Sequence, residues 1–146
     1  ALRVVDPRRL GGVELDPDLR RLGPDALTLR ADELAPALAG SAVPLKARLL
    51  DQSRVAGLGN LLVDETLWRA GWDPARPAGE LDRADVRSLA GHVRRTVASL
   101  LARGGSHTGD LQAERHRDGT CPRDRTPLLR RTIGGRTTYS CPTHQR

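Results

Sequence analysis

Apolar residues recur at helical spacing through the middle of this chain and at strand spacing near its ends. The longest periodic segment, residues 83–103, carries Val86, Leu89, Val93, Val97 and Leu100 at steps of 3, 4, 4 and 3, the stripe of an amphipathic helix. Asp82 stands where an N-cap belongs, and Gly104-Gly105 stops the helix. Leu45, Leu49 and Leu50 predict a helix opened by Pro44 and running to about Val55. After the break Gly57-Leu58-Gly59, Asn60 is a good N-cap for a helix over 61–70 that ends at Gly71. A shorter helix over 32–39 stops at Gly40. Pro74 and Pro77 predict a stiff connection, and residues 106–120 a long polar loop that is either functional or mobile.

Near the termini the period changes. Residues 2–5 and 12–15 read as two short strands separated by Asp-Pro and Gly-Gly turn signals. Residues 128–133 and 136–140 read as strands joined by the two-residue turn Gly134-Gly135. A hairpin of this size buries too little to fold by itself, so something else must hold it.

Composition sharpens this picture. Leucine supplies 23 residues and valine 9, against three aromatics, Trp68, Trp72 and Tyr139. The core must be aliphatic, which favours helices over a sheet sandwich. No apolar run approaches the roughly 20 residues of a membrane-spanning helix. The net charge of +6 is concentrated at one end: residues 121–146 hold six arginines against Asp124 alone. A small, strongly basic segment points to a polyanionic partner, nucleic acid first, with a solvated basic tail as the alternative. The chain opens on the apolar run Ala1–Val5 without Met, which leads us to expect the back part of a longer protein.

Cys121-Pro-Arg-Asp124 and Cys141-Pro-Thr-His144 bracket the hairpin with the spacing x2, x16, x2 of a zinc ribbon. Two such pairs would converge on one tetrahedral ion, and zinc accepts sulfur, nitrogen and oxygen ligands. The candidate set is therefore Cys121, Asp124, Cys141 and His144. The alternatives are His107 or His116 in place of Asp124, a metal-free ribbon, or a disulfide between the two cysteines. In the Gly57-Leu58-Gly59-Asn60 break, two glycines allow close approach and the following helix start offers free N–H groups, an anion site by amide geometry. Taken alone, such a sequence is more often just a turn. Arg136, directly after the Gly-Gly turn, becomes a phosphate fork if the ribbon faces nucleic acid.

These pieces, in this order, resemble one family. Leu45-Lys46, Leu49-Leu50-Asp51-Gln52, Val55-Ala56-Gly57-Leu58-Gly59-Asn60, Asp64-Glu65 and Leu67-Trp68-Arg69-Ala70-Gly71-Trp72-Asp73-Pro74 look like the helix–two-turn–helix signature of formamidopyrimidine-DNA glycosylases and endonuclease VIII-type glycosylases. Gly134-Gly135-Arg136-Thr137-Thr138-Tyr139-Ser140-Cys141-Pro142 and Gln145 resemble that family's C-terminal zinc finger, and Asp6-Pro7-Arg8-Arg9-Leu10-Gly11 resembles its Asp-Pro-Arg-Arg-Phe-Gly loop. The resemblance implies a mainly α fold: a helix–two-turn–helix DNA-binding domain over 31–118, then a zinc-ribbon hairpin over 119–146. Residues 1–30 would be a remnant β-hairpin of an N-terminal β-sandwich, with a linker.

The implied function is base-excision repair of oxidised bases, in which the damaged nucleotide is flipped from the duplex. The family's N-terminal proline amine then attacks C1′, and the strand is cut by elimination. Carried over residue by residue, Lys46, Asn60 and Arg136 would hold phosphates beside the flipped nucleotide, together with the Gly57 and Gly59 turn. Arg8 would face the opposite base and Leu10 would wedge into the stack. Glu65 would buttress the helix pair. The expected partner is double-stranded DNA with a damaged base or abasic site, bound by a monomer in the bacterial cytoplasm, with no membrane and one structural zinc ion. The departures are clear: Leu10 stands for Phe, Asp124 and His144 stand for Cys, and no Pro-Glu pair occurs in the 146 residues. Two rival readings are an RNA-binding module like the helix–two-turn–helix of a ribosomal small-subunit protein, and a truncated regulator.

With no catalytic residue assigned in this sequence, incubation of the chain with abasic-site DNA and borohydride should trap no covalent adduct. A trapped adduct would overturn this and direct attention to Lys46 or the Ala1 amine.

Overall fold

The computed structural model describes Val5 and residues 13–146. Four helices, α1 (Ala31–Leu38), α2 (Leu45–Leu50), α3 (Asn60–Ala70) and α4 (Arg83–Ala102), precede a hairpin of β1 (Leu129–Ile133) and β2 (Arg136–Ser140). The expected mainly helical architecture with a C-terminal hairpin is present. Among the described residues, no helix is long and apolar enough to cross a membrane.

Helix α4 starts where its cap predicts. Asp82 Oδ1 accepts from Asp85 N at 2.8 Å, and the Asp85 carboxylate answers to Asp82 N, a reciprocal box that satisfies two helix-end donors. Its stripe is buried as read: Val86, Leu89, Val93 and Leu100 lie in the interior, and Val97 packs against it. Leu34 and Leu38 of α1, Leu45 and Leu49 of α2, and Val63 and Leu67 of α3 complete one aliphatic core.

Three expectations are corrected. Helix α2 ends at Leu50 rather than near Val55, because the Asp51 carboxylate accepts from Ser53 N and Oγ and folds the chain into a turn. Val55 reaches the core all the same. Residues 13–15 form no strand and are exposed, as expected of a ribbon segment with no sheet to join; residues 2–4 and Gly12 lie outside the described residues. The 106–120 loop is anchored: the Glu65 carboxylate accepts from Asp110 N and Leu111 N at 3.0 and 2.9 Å, and Leu111 is buried. Glu65 thus ties α3 to the segment after α4. The linker is also more than a tether, since Ala26 and Leu29 are core residues and Ala26 N bonds Ala56 O.

The hairpin pairs in antiparallel register, Leu129 with Ser140 and Ile133 with Arg136. Gly134 and Gly135 have φ of +57° and +69°, the left-handed pair that a tight hairpin turn requires. A second small cluster, Trp68, Leu111, Cys121 and Cys141 with Leu128 against it, joins the hairpin base to α3.

Helix α4 tests this account of the core. Leu89→Ala should lower unfolding stability by about 2–5 kcal/mol through a cavity in the closed interior. Leu101→Ala, beside the helix end and 66 % exposed, should stay within about 0.5 kcal/mol. Denaturant unfolding of both variants measures the contrast.

Candidate metal centre and nucleic-acid interface

Each half of the ribbon turns its ligand pair inward. After Cys121, Arg125 takes φ +62°, Arg125 N bonds Cys121 O, and Thr126 N donates to Asp124 Oδ1 at 2.9 Å. That bond from the Thr126 backbone holds the Asp124 carboxyl far below the usual carboxylate range. Cys141 N donates to Gln145 Oε1 at 2.8 Å, and Gln145 Nε2 donates to Trp72 O at 2.9 Å, fastening the C-terminal end to the turn after α3.

The four predicted ligands meet. One donor atom from each of Cys121, Asp124, Cys141 and His144 lies within 4.8 Å of the others, the only such cluster found among the described residues. His107 and His116 are not part of it. Both cysteines are free thiols, which sets the disulfide alternative aside. Tetrahedral ligation at about 2.0–2.3 Å separates donor atoms by roughly 3.3–3.8 Å. Three of the six separations fall in that range, 3.5 Å for Cys121 Sγ to His144 Nδ1, 3.3 Å for Cys141 Sγ to Asp124 Oδ2 and 3.5 Å for His144 Nδ1 to Asp124 Oδ2, and all lie within 4.8 Å. His144 Nε2 lies 3.1 Å from Trp68 O, an acceptor for the Nε2–H tautomer, which leaves Nδ1 free to ligate. The cluster is capable of coordinating a metal ion.

The opposite end of α3 carries the anion-site candidates. Gly57 has φ +91°, a conformation glycine adopts without strain, and its N–H donates to Gln52 Oε1 while Gln52 Nε2 donates to Leu58 O. Gly59, not Asn60, is the N-cap of α3, and no side chain satisfies the first helical N–H groups. Asn60 is released from capping: its Nδ2 donates to Thr137 O at 3.2 Å, and its Oδ1 is buried without a partner. A cleft of about 680 Å³ runs from Gly57, Gly59 and Asn60 to Gly134 and Arg136. Arg136 is exposed at the hairpin tip.

Lys46 lies beneath this cleft rather than in its wall. Its ammonium is wholly buried, 2.7 Å from Asp64 Oδ1, and donates to Thr138 Oγ1 at 2.7 Å and Thr137 O at 3.1 Å. Burial pushes the Lys46 ammonium below its usual pKa, with Asp64 pulling the other way. Arg115 pairs with the second Asp64 oxygen, which also faces Tyr139 N at 3.4 Å. Arg8 and Leu10 lie outside the described residues.

Asp64, Arg115 and the metal-side contacts of Trp68 have no counterpart in the sequence reading. The signal that could have found them was the spacing of Asn60, Asp64 and Trp68 at four-residue steps, one face of a helix. All three residues bond the ribbon from that face.

The family model for the formamidopyrimidine-DNA glycosylase H2TH domain matches residues 22–111. The formamidopyrimidine-DNA glycosylase of Paracoccus denitrificans is 41 % identical over 94 % of this chain and 57 % of its own length. That of Moorella thermoacetica is 40 % identical over 89 % and 56 %. Among solved structures, the MutM (Fpg) protein of Thermus thermophilus matches with TM-score 0.79 and 36 % identity over 96 % of this chain and 62 % of that one. The Lactococcus lactis Fpg in complex with abasic-site DNA matches with TM-score 0.75 and 26 % identity over 87 % and 52 %. The chain thus spans somewhat over half the length of these relatives.

Elemental analysis of freshly purified, unchelated chain should find one transition-metal ion per molecule. Cys141→Ser should release it and loosen the hairpin while the helical circular dichroism signal persists. A metal-free wild-type protein would reduce the cluster to a set of polar contacts.

Proposed function

The chain belongs to the formamidopyrimidine-DNA glycosylase family, and from that premise we propose that it is the DNA-binding portion of a base-excision glycosylase and AP lyase acting on oxidised bases. The observation that carries this reading is the cleft in which the uncapped start of α3 faces Arg136 across the Gly57–Asn60 turn. A phosphate entering there meets main-chain N–H groups and the positive end of the α3 dipole on one side, and a guanidinium on the other. The cleft binds by shape and charge and reads no base, as suits an element that holds the backbone while a nucleotide is flipped.

Each candidate then has a role. Arg136 forks onto the phosphate. Gly57 and Gly59 let the backbone approach, and the Asn60 Nδ2 amide keeps the hairpin strand in place with one N–H and offers its second to the phosphate. Lys46 serves from below, holding Thr137 and Thr138 so that Arg136 is aimed. Arg8 facing the orphaned base and Leu10 wedging the stack are carried over from the resemblance. The partner is double-stranded DNA carrying a damaged base or an abasic site, bound by a monomer in the bacterial cytoplasm.

The ion is assigned as one structural zinc. Two thiolates, an imidazole nitrogen and one carboxylate oxygen in a tetrahedron suit zinc, which needs no open position when its role is to hold a fold. Zinc would supply the binding energy that the hairpin, lacking a core of its own, cannot.

Salt titrations on one duplex test the cleft. Arg136→Ala should weaken binding by about 1–3 kcal/mol and reduce the salt slope of log K by about one unit. Asn60→Ala should cost roughly 0.5–1.5 kcal/mol and leave the slope nearly unchanged, because no cation is removed. Unchanged affinity and slope for Arg136→Ala would make the tail a solvated basic hairpin. Equal or tighter binding to structured RNA would favour an RNA-binding module.

A further inference from the structure

The four candidate ligands come from the ribbon, yet two of them are held by one residue outside it. Trp68 lies in the last turns of α3 and is buried, 5 % exposed. Its indole Nε1–H donates to Cys121 Sγ at 3.4 Å. Its carbonyl oxygen is 3.1 Å from His144 Nε2, and its ring meets the His144 ring edge-on with centroids 5.9 Å apart. The outer ring face is covered by the Arg123 guanidinium, 4.6 Å from the centroid. Leu111 packs with Trp68 and the two cysteines, so the contact sits in a dry environment.

We propose that Trp68 is a positioning residue of the metal centre, its indole N–H bonding the Cys121 thiolate while its carbonyl fixes the His144 ring so that Nδ1 faces the ion. This rests on the metal-site reading above. The two sulfurs are supported differently. Cys141 Sγ contacts a fellow candidate ligand, the Asp124 carboxylate, at 3.3 Å. The donor to Cys121 Sγ from outside the ligand set is the indole, supplied by another element of the fold. An N–H bond to a thiolate draws charge from the sulfur, lowers its lone-pair energy and aims that lone pair. With two thiolates instead of four, each sulfur carries more of the ligation, and outer contacts that orient the ligands weigh accordingly.

The test uses the whole chain with cobalt(II) as probe, because the thiolate-to-cobalt charge-transfer band reports sulfur lone-pair energy directly. Wild-type protein is titrated with cobalt(II) and with zinc against a chromophoric chelator. Absence of a thiolate band in wild type would overturn the metal centre itself. Given the band, Trp68→Phe should move it to lower energy and weaken metal binding by about 10–100-fold, the usual scale for an outer-contact loss. Because Trp68→Phe also thins the packing, a second variant carries benzothienylalanine at position 68, the same shape with sulfur in place of N–H. The same band shift is expected there. A wild-type band and affinity in the benzothienylalanine variant would show that Trp68 acts by packing alone and would overturn the proposal.

Discussion

The fold turns on a carboxylate buried in the middle of α3. Asp64 is sealed from water, paired to Lys46 on one oxygen and to Arg115 on the other, with Tyr139 N close to the second. Lys46 comes from α2, Arg115 from the segment after α4, and Tyr139 from the hairpin, so one side chain fixes three separate parts of the chain. Burying such charges costs several kcal/mol per ion, and their attraction returns that only when the geometry is satisfied. The arrangement is therefore a poor source of net stability but a strict specification of position. Removing Asp64 leaves the Lys46 ammonium unpaired in the interior, which costs about 3–5 kcal/mol.

That specification joins the other polar ties that locate the ribbon, among them Asn60 to Thr137, Arg131 to Asp73 and Gln145 to Trp72. Two short strands bury Ile133 and Tyr139, and a small cluster around Trp68 and the cysteines anchors their base. Helix α3, roughly 16 Å long at 1.5 Å per residue, acts as a ruler. Its first residue, Asn60, reaches the strand beside the hairpin tip, Asp64 holds the strand's middle, and Trp68 meets the metal ligands. The cleft and the candidate ligand cluster thus lie at opposite ends of one rigid element. Their separation follows from the helix pitch rather than from any contact between them.

Much of this was readable in the chain. The 83–102 helix, its Asp82 cap, the Gly-Gly hairpin turn and the four convergent ligands all follow from local rules: period, capping chemistry, turn chemistry and ligand spacing. What escaped is what those rules do not reach. Asn60 looks like an N-cap because Asn is a favoured one, yet Gly59 occupies that position and frees the amide to cross 77 residues to Thr137. Residues 106–120 read as a long polar loop, functional or mobile, and what that reading lacks is the glutamate on another element that captures two of their amides. The end of α2 was misjudged for a local reason, the competing turn at Asp51 and Ser53.

By itself, then, the sequence determined the helical class, the position of the hairpin, the four side chains that cluster at its base and the motif that marks the family, because each is written in spacings of a few residues. Only the tertiary structure decided the placement of Lys46, the sole lysine, under the cleft with its ammonium on Asp64. Only the tertiary structure put Trp68 against Cys121. In both cases the partners lie far apart along the chain, and a buried charge or indole N–H acquires its meaning from whichever group packing brings within hydrogen-bond reach.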